Sequence, residues 1–112
     1  MNHAQIARLI SSVPATTEQR HLKRVEGYAF TARRVETRID SLRLELERAL
    51  RGVDEAVPEG RGDDAADQAL ALALDLDSLE RIQPRVDSWL RVAVSSVCDD
   101  PGLAPFGEGP TA

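Results

Sequence analysis

Residues 25–53 read VEGYAFTARRVETRIDSLRLELERALRGV, and the spacing of their apolar side chains decides the fold. Val25, Tyr28, Ala32, Val35, Ile39, Leu42, Leu46, Ala49 and Val53 follow one another at alternating steps of three and four. Such steps return to one side of a helix, and about four heptads without a break make a coiled-coil-like seam. Arg43–Glu47 and Glu47–Arg51 stand four residues apart beside it, as a solvated helix face requires. The spacing predicts one long helix over residues 17–52, with Gly52 as its stop and Thr16 with Gln19 as a capping box at its start.

Upstream, Ile6, Leu9, Ile10 and Val13 repeat the 3/4 spacing on a smaller scale, giving a short helix over residues 3–13 closed by Pro14. Downstream, residues 54–64 carry Pro58, Gly60 and Gly62 among charges and read as a loop. A second long helix is expected over residues 64–98. Its seam is Ala65, Ala69, Leu72, Leu76, Leu79, Val86, Leu90, Ala93 and Val97, with Gln83 at the one polar position. Leu70, Leu72, Leu74 and Leu76 also alternate as a strand would. The residues between them, Ala71, Ala73 and Asp75, are poor strand formers, and no second strand stands ready to pair. Pro84 removes a backbone hydrogen bond and crowds the carbonyl of Glu80, so the helix either kinks there or breaks. Residues 99–112 hold too much Pro and Gly for a helix and are expected to be a flexible tail after a helical domain of residues 1–98.

The expected fold is therefore all-α: an antiparallel helical hairpin with a short N-terminal helix. Composition agrees. Hydrophobic residues make up 42% of the 112, enough for one modest core, but aromatics are only 4%, so Ala, Leu and Val must fill it. No uninterrupted apolar stretch is long enough to span a bilayer, and residues 6–10, broken by Arg8, are too short for the apolar core of a signal peptide. A lone Cys98 allows no intrachain disulfide, and a cytoplasmic location is expected.

The seam does not account for every apolar residue. Phe30 and Leu44 fall at the outermost heptad position of the first long helix, while Leu70, Leu74 and Val92 project away from the Leu72–Leu76–Leu79 stripe of the second. With the single Trp89, these are the candidate partner interface, since tryptophan is enriched where interfaces are anchored. A hairpin cannot bury two faces of each helix, so assembly into a four-helix-bundle-like or coiled-coil homo-oligomer follows, with a larger protein as a further partner. Leu103 and Phe106 in the tail are candidate docking residues.

Charge is uneven. Residues 1–53 hold 10 basic and 6 acidic side chains, and residues 54–112 hold 4 and 13, within a net −5. Opposite halves suit a chain that complements itself or a second copy. The alternative is a nucleic-acid-associated regulator using a ridge of Arg20, Lys23, Arg24, Arg34 and Arg38, although Glu26 and Glu36 interrupt it.

Catalytic chemistry is not expected. His3 and His21 have no Cys, Asp or Glu at metal-ligand spacing, and Ser95 and Ser96 have no base in view. Cys98 falls at a helix C-terminus, whose dipole disfavours a thiolate. Asp75 and Asp77, two apart, do not share a helix face. Gly60-Arg61-Gly62 is too short for a phosphate loop, and Arg61-Gly62-Asp63 is explained by loop and helix start. The reading is a non-catalytic helical interaction module, an adaptor or assembly subunit without cofactor or metal.

Overall fold

The computed structural model describes residues 1–98, and among them every regular element is helical, with no strand. In order come α1 (His3–Ser11), α2 (Gln19–Ala56), a 3-10 turn (Val57–Glu59) and α3 (Gly62–Val97). The tail, with Leu103 and Phe106, lies outside the described residues.

Each boundary has a local cause. At α1, the Asn2 side chain accepts a hydrogen bond from the Gln5 amide at 2.8 Å, and the Gln5 side chain accepts one from the Asn2 amide at 2.8 Å. This reciprocal capping box closes two amides that the first turn leaves open. The helix ends where Ser12 Oγ donates to the Leu9 carbonyl at 2.6 Å. The box expected at Thr16 is absent; Thr17 instead donates its amide and hydroxyl to the Pro14 carbonyl, and α2 begins at Gln19.

Gly52 does not stop α2, which runs through it to Ala56. The stop is Gly60, at φ 75°. Its amide donates to the Val57 carbonyl at 3.1 Å and the Arg61 amide to the Ala56 carbonyl at 3.0 Å. That pair of bonds is a Schellman motif, which needs a left-handed residue and hence glycine. Gly62 then lets α3 start against Val57, whose Cγ2 would lie 2.6 Å from any Cβ added there.

α3 is one helix of 36 residues, so the alternating leucines are helical and Pro84 sits inside without breaking the element. Pro84 is exposed and off the seam, where its ring meets solvent.

With Val25, Ala32, Ile39, Leu46 and Val53 as heptad positions a of α2, and Ala69, Leu76, Gln83, Leu90 and Val97 as a of α3, every expected seam residue is buried or half-buried. The chain divides into two compact units. Unit 1 comprises Met1–Glu36 with residues 83–98, and unit 2 comprises Thr37–Ile82. In unit 1 a three-helix core gathers Ile6 of α1, Val25, Ala29 and Ala32 of α2, and Val86, Leu90, Ala93 and Val94 of α3. Gln83, the polar seam position, donates to Glu36 Oε2 at 2.5 Å and is thereby satisfied. In unit 2 only two α-helices are present, and only Ile39, Leu42, Ala56 and Ala69 are buried.

Leu42 has no exposed surface, so Leu42→Asp places an unpaired carboxylate in the core. It should cost several kcal/mol of a total of about 5–15 and abolish cooperative unfolding in urea. Leu46 is half-buried, so Leu46→Asp should be milder than the sequence spacing suggests. Pro84→Ala restores the missing amide at an exposed position and should stabilise the protein by about 1–3 kcal/mol in the same titration.

Candidate interaction surface

The two units differ in what covers the flank of the seam. In an antiparallel pair the e positions of both helices line one flank. In unit 1 these are Leu22 and Ala29 on α2 and Asp87 and Val94 on α3, all buried or half-buried, with Ile6, Leu9, Ile10 and Val13 of α1 packed on that core. Asp87 is the one buried charged residue among those described, and the Met1 ammonium donates to its Oδ2 at 2.6 Å. An ion pair this enclosed is weakly screened, and neither partner could be removed without stranding the other.

In unit 2 the corresponding positions are Arg43 and Leu50 on α2 and Ala66, Ala73 and Glu80 on α3, and no third helix lies over them among the described residues. As a result Leu46, Ala49, Val53, Ala65, Leu72, Leu76 and Leu79 remain only half-buried. Leu50 is exposed at this flank and escaped the sequence reading; its e position beside the seam was the available signal.

Each candidate interface residue is exposed: Phe30, Trp89 and Val92 in unit 1, and Leu44, Leu70 and Leu74 in unit 2. Leu70 and Leu74 leave 58% and 59% of their surface open, far more than a core position tolerates. Val57 and Ile82, not read from the sequence, are exposed too. Two of the aromatics have intramolecular partners. The Trp89 ring lies 6.4 Å from that of half-buried Tyr28 at 51°, and the Arg34 guanidinium sits 5.6 Å over the Phe30 ring. Both geometries are favourable and hold the exposed rings in place.

The basic ridge is exposed along its length. Arg20 pairs with Glu18 at 3.0 Å, and Arg38, in unit 2, lies 3.8 Å from Glu45. Lys23 and Arg24 make no ion pair among the described residues. His21 lies 4.0 Å from Glu18, and Cys98 Sγ donates to the Ser12 carbonyl at 3.4 Å. No cluster of three His, Cys, Asp or Glu suited to a metal ion forms among the described residues. No described helix is long and apolar enough to cross a membrane.

The concavities among the described residues include two of note. One, about 730 Å³, is a shallow acidic depression at the turn of unit 2 lined by Glu55, Glu59, Asp63 and Asp64. The other, about 250 Å³, lies in unit 1 between α1 and α3 beside Met1, Leu9 and Arg91. Comparison with protein families, with curated proteins and with solved structures returns no match for this chain.

The Met1–Asp87 pair is a long-range ion pair that sequence spacing could not reveal. Asp87→Asn keeps the shape and removes the charge. It should lower stability by about 1–3 kcal/mol in chemical denaturation while leaving helicity intact at low denaturant.

Proposed function

We propose that this chain is a non-catalytic helical protein–protein interaction module, an oligomeric adaptor or assembly subunit whose first partner is a second copy of itself. One observation carries the reading: the seam of unit 2 is half-covered, while α1 closes the equivalent flank in unit 1. A two-helix unit that also exposes Leu44, Leu50, Leu70 and Leu74 presents more apolar surface than a stable monomer needs to show. Another pair of helices laid on that surface would complete a four-helix bundle, the ordinary way for helical hairpins to remove apolar surface from water. A second copy is the simplest source, because closed two-fold homodimers are the commonest assembly. The absence of cysteine pairs suits work in the cytoplasm.

Leu70→Asp and Leu74→Asp test this directly. Both sites are exposed, so circular dichroism should show helicity unchanged, while sedimentation at micromolar concentration should show mass falling from twice the 12.2 kDa chain to a single copy. A wild-type protein that sediments as a monomer at every concentration would sink the proposal.

A further inference from the structure

We infer that residues 103–106 of the tail fold back into the groove between α1 and α3 of unit 1, so that the chain covers this surface with its own C-terminal segment. The contact lies within one chain. It goes beyond the proposed function and holds whether or not the chain self-associates.

Two contacts fix the groove. The Met1 ammonium meets Asp87 Oδ2 at 2.6 Å, and Cys98 Sγ donates to the Ser12 carbonyl at 3.4 Å. Both pairs are 86 positions apart, so α1 and α3 run side by side in the same direction. Between them Met1, Gln5, Arg8, Leu9, Ser12 and Arg91 line a concavity of about 250 Å³. That is smaller than the roughly 300–1,000 Å³ of small-molecule pockets and suits one or two side chains. Half-buried Met1 and Leu9 are its apolar part, and exposed Arg8 and Arg91 its charged part. No acidic residue lines it, and neither arginine has an ion-pair partner among the described residues.

The length of the remaining chain and the place where it leaves α3 select the occupant. Cys98, the last described residue, touches Ser12 and therefore stands at the mouth of the groove. Asp100-Pro101-Gly102-Leu103 is the sequence of a type II turn, with Pro and Gly at its two central positions, and such a turn reverses the chain. Residues 103–106 are then directed back along the groove. Their three extended steps cover about 10 Å, the same length as the seven helical steps from Ser12 back to Gln5. Leu103 falls beside Ser12 and Leu9, and Phe106 beside Gln5 and Met1. These two are the large apolar side chains of residues 99–112.

Charge agrees with this register. Residues 99–112 hold Asp99, Asp100 and Glu108 and no basic side chain. Asp99 and Asp100 come about one helical turn from Arg8, and Glu108 about one turn from Arg91. Linkage favours the chain's own tail over a separate peptide. Only residues 99–102 separate Leu103 from the anchored Cys98, and so short a connection gives an effective concentration on the order of millimolar. Pro101 and Pro105 also restrict the free segment and lower the entropy lost on docking.

A single nitroxide label beside Phe106 tests the contact in the full chain, carried by Gly107→Cys with Cys98→Ser. Its paramagnetic broadening of backbone amide signals should be strongest at Gln5, Arg8 and Leu9 of α1 and weak at exposed Lys23 and Gly27 of α2. Two further changes should each abolish that preference while circular dichroism stays constant. Arg8→Gln with Arg91→Gln removes the charge at exposed positions, and Leu103→Asp alters the tail alone. Labelled protein mixed with unlabelled, isotope-enriched protein separates a chain's own tail from that of another copy, and α1 of the enriched chain should show no broadening. Equal broadening of α1 and α2, a preference that survives both changes, or broadening of α1 in the enriched chain would overturn the inference. None of these results bears on whether the wild type sediments as a dimer, so the two readings fail separately.

Discussion

The constraint behind this structure is that two helices packed on each other bury one stripe apiece and leave a flank open on either side. α2 and α3, of 38 and 36 residues, each contribute seam residues to both units. α1 has nine residues. It supplies a third layer to unit 1 only, where Ile6 is wholly enclosed. The contrast follows in the side chains: Val25, Val86 and Leu90 are sealed, whereas Leu46, Leu72 and Leu76 keep part of their surface in water. The difference lies in coverage, since all six occupy equivalent seam positions.

The seam was legible in the sequence because it is a local property: 3/4 spacing repeats regardless of what the helix meets. Every a and d residue read from residues 25–53 and 65–97 is buried or half-buried. The outward residues followed by subtraction. Boundaries were less legible, for a physical reason. Gly52 and Gly60 are both plausible stops on composition, and the choice falls to Gly60 because Gly60 and Arg61 donate back to Val57 and Ala56. That closure requires helix through Gly52, which costs about 1 kcal/mol and is compensated by Val53 and Ala56 reaching the seam. Asp87 was illegible for another reason. Its partner, Met1, is 86 positions away, and no periodicity links the two.

Charge shows the same limit. Dividing the sequence at residue 53 gives a basic and an acidic half, but the folded division is different. Residues 37–53, part of the basic half, lie in unit 2, and residues 83–98 return to unit 1. The sign of each unit matches that of its half because the returning segment carries Arg85 and Arg91 against Asp87 alone. A charge asymmetry along a chain that doubles back becomes an asymmetry in the folded protein only through such a coincidence of fold and sequence.

The helix-weakening residues occupy informative places. Pro84 falls at a b position of α3, Gly27 at c of α2 and Gly52 at g of α2; none is on the seam. Stability in a long helical pair comes mainly from the buried stripe and only slightly from propensity, so positions outside it can hold poor helix formers without loss of the fold. They are therefore where a requirement other than folding can be written into the sequence. Gly27 and Gly52 each leave open space where a Cβ would stand, and Pro84 meets solvent, so nothing in the packing of the described residues sets any of the three.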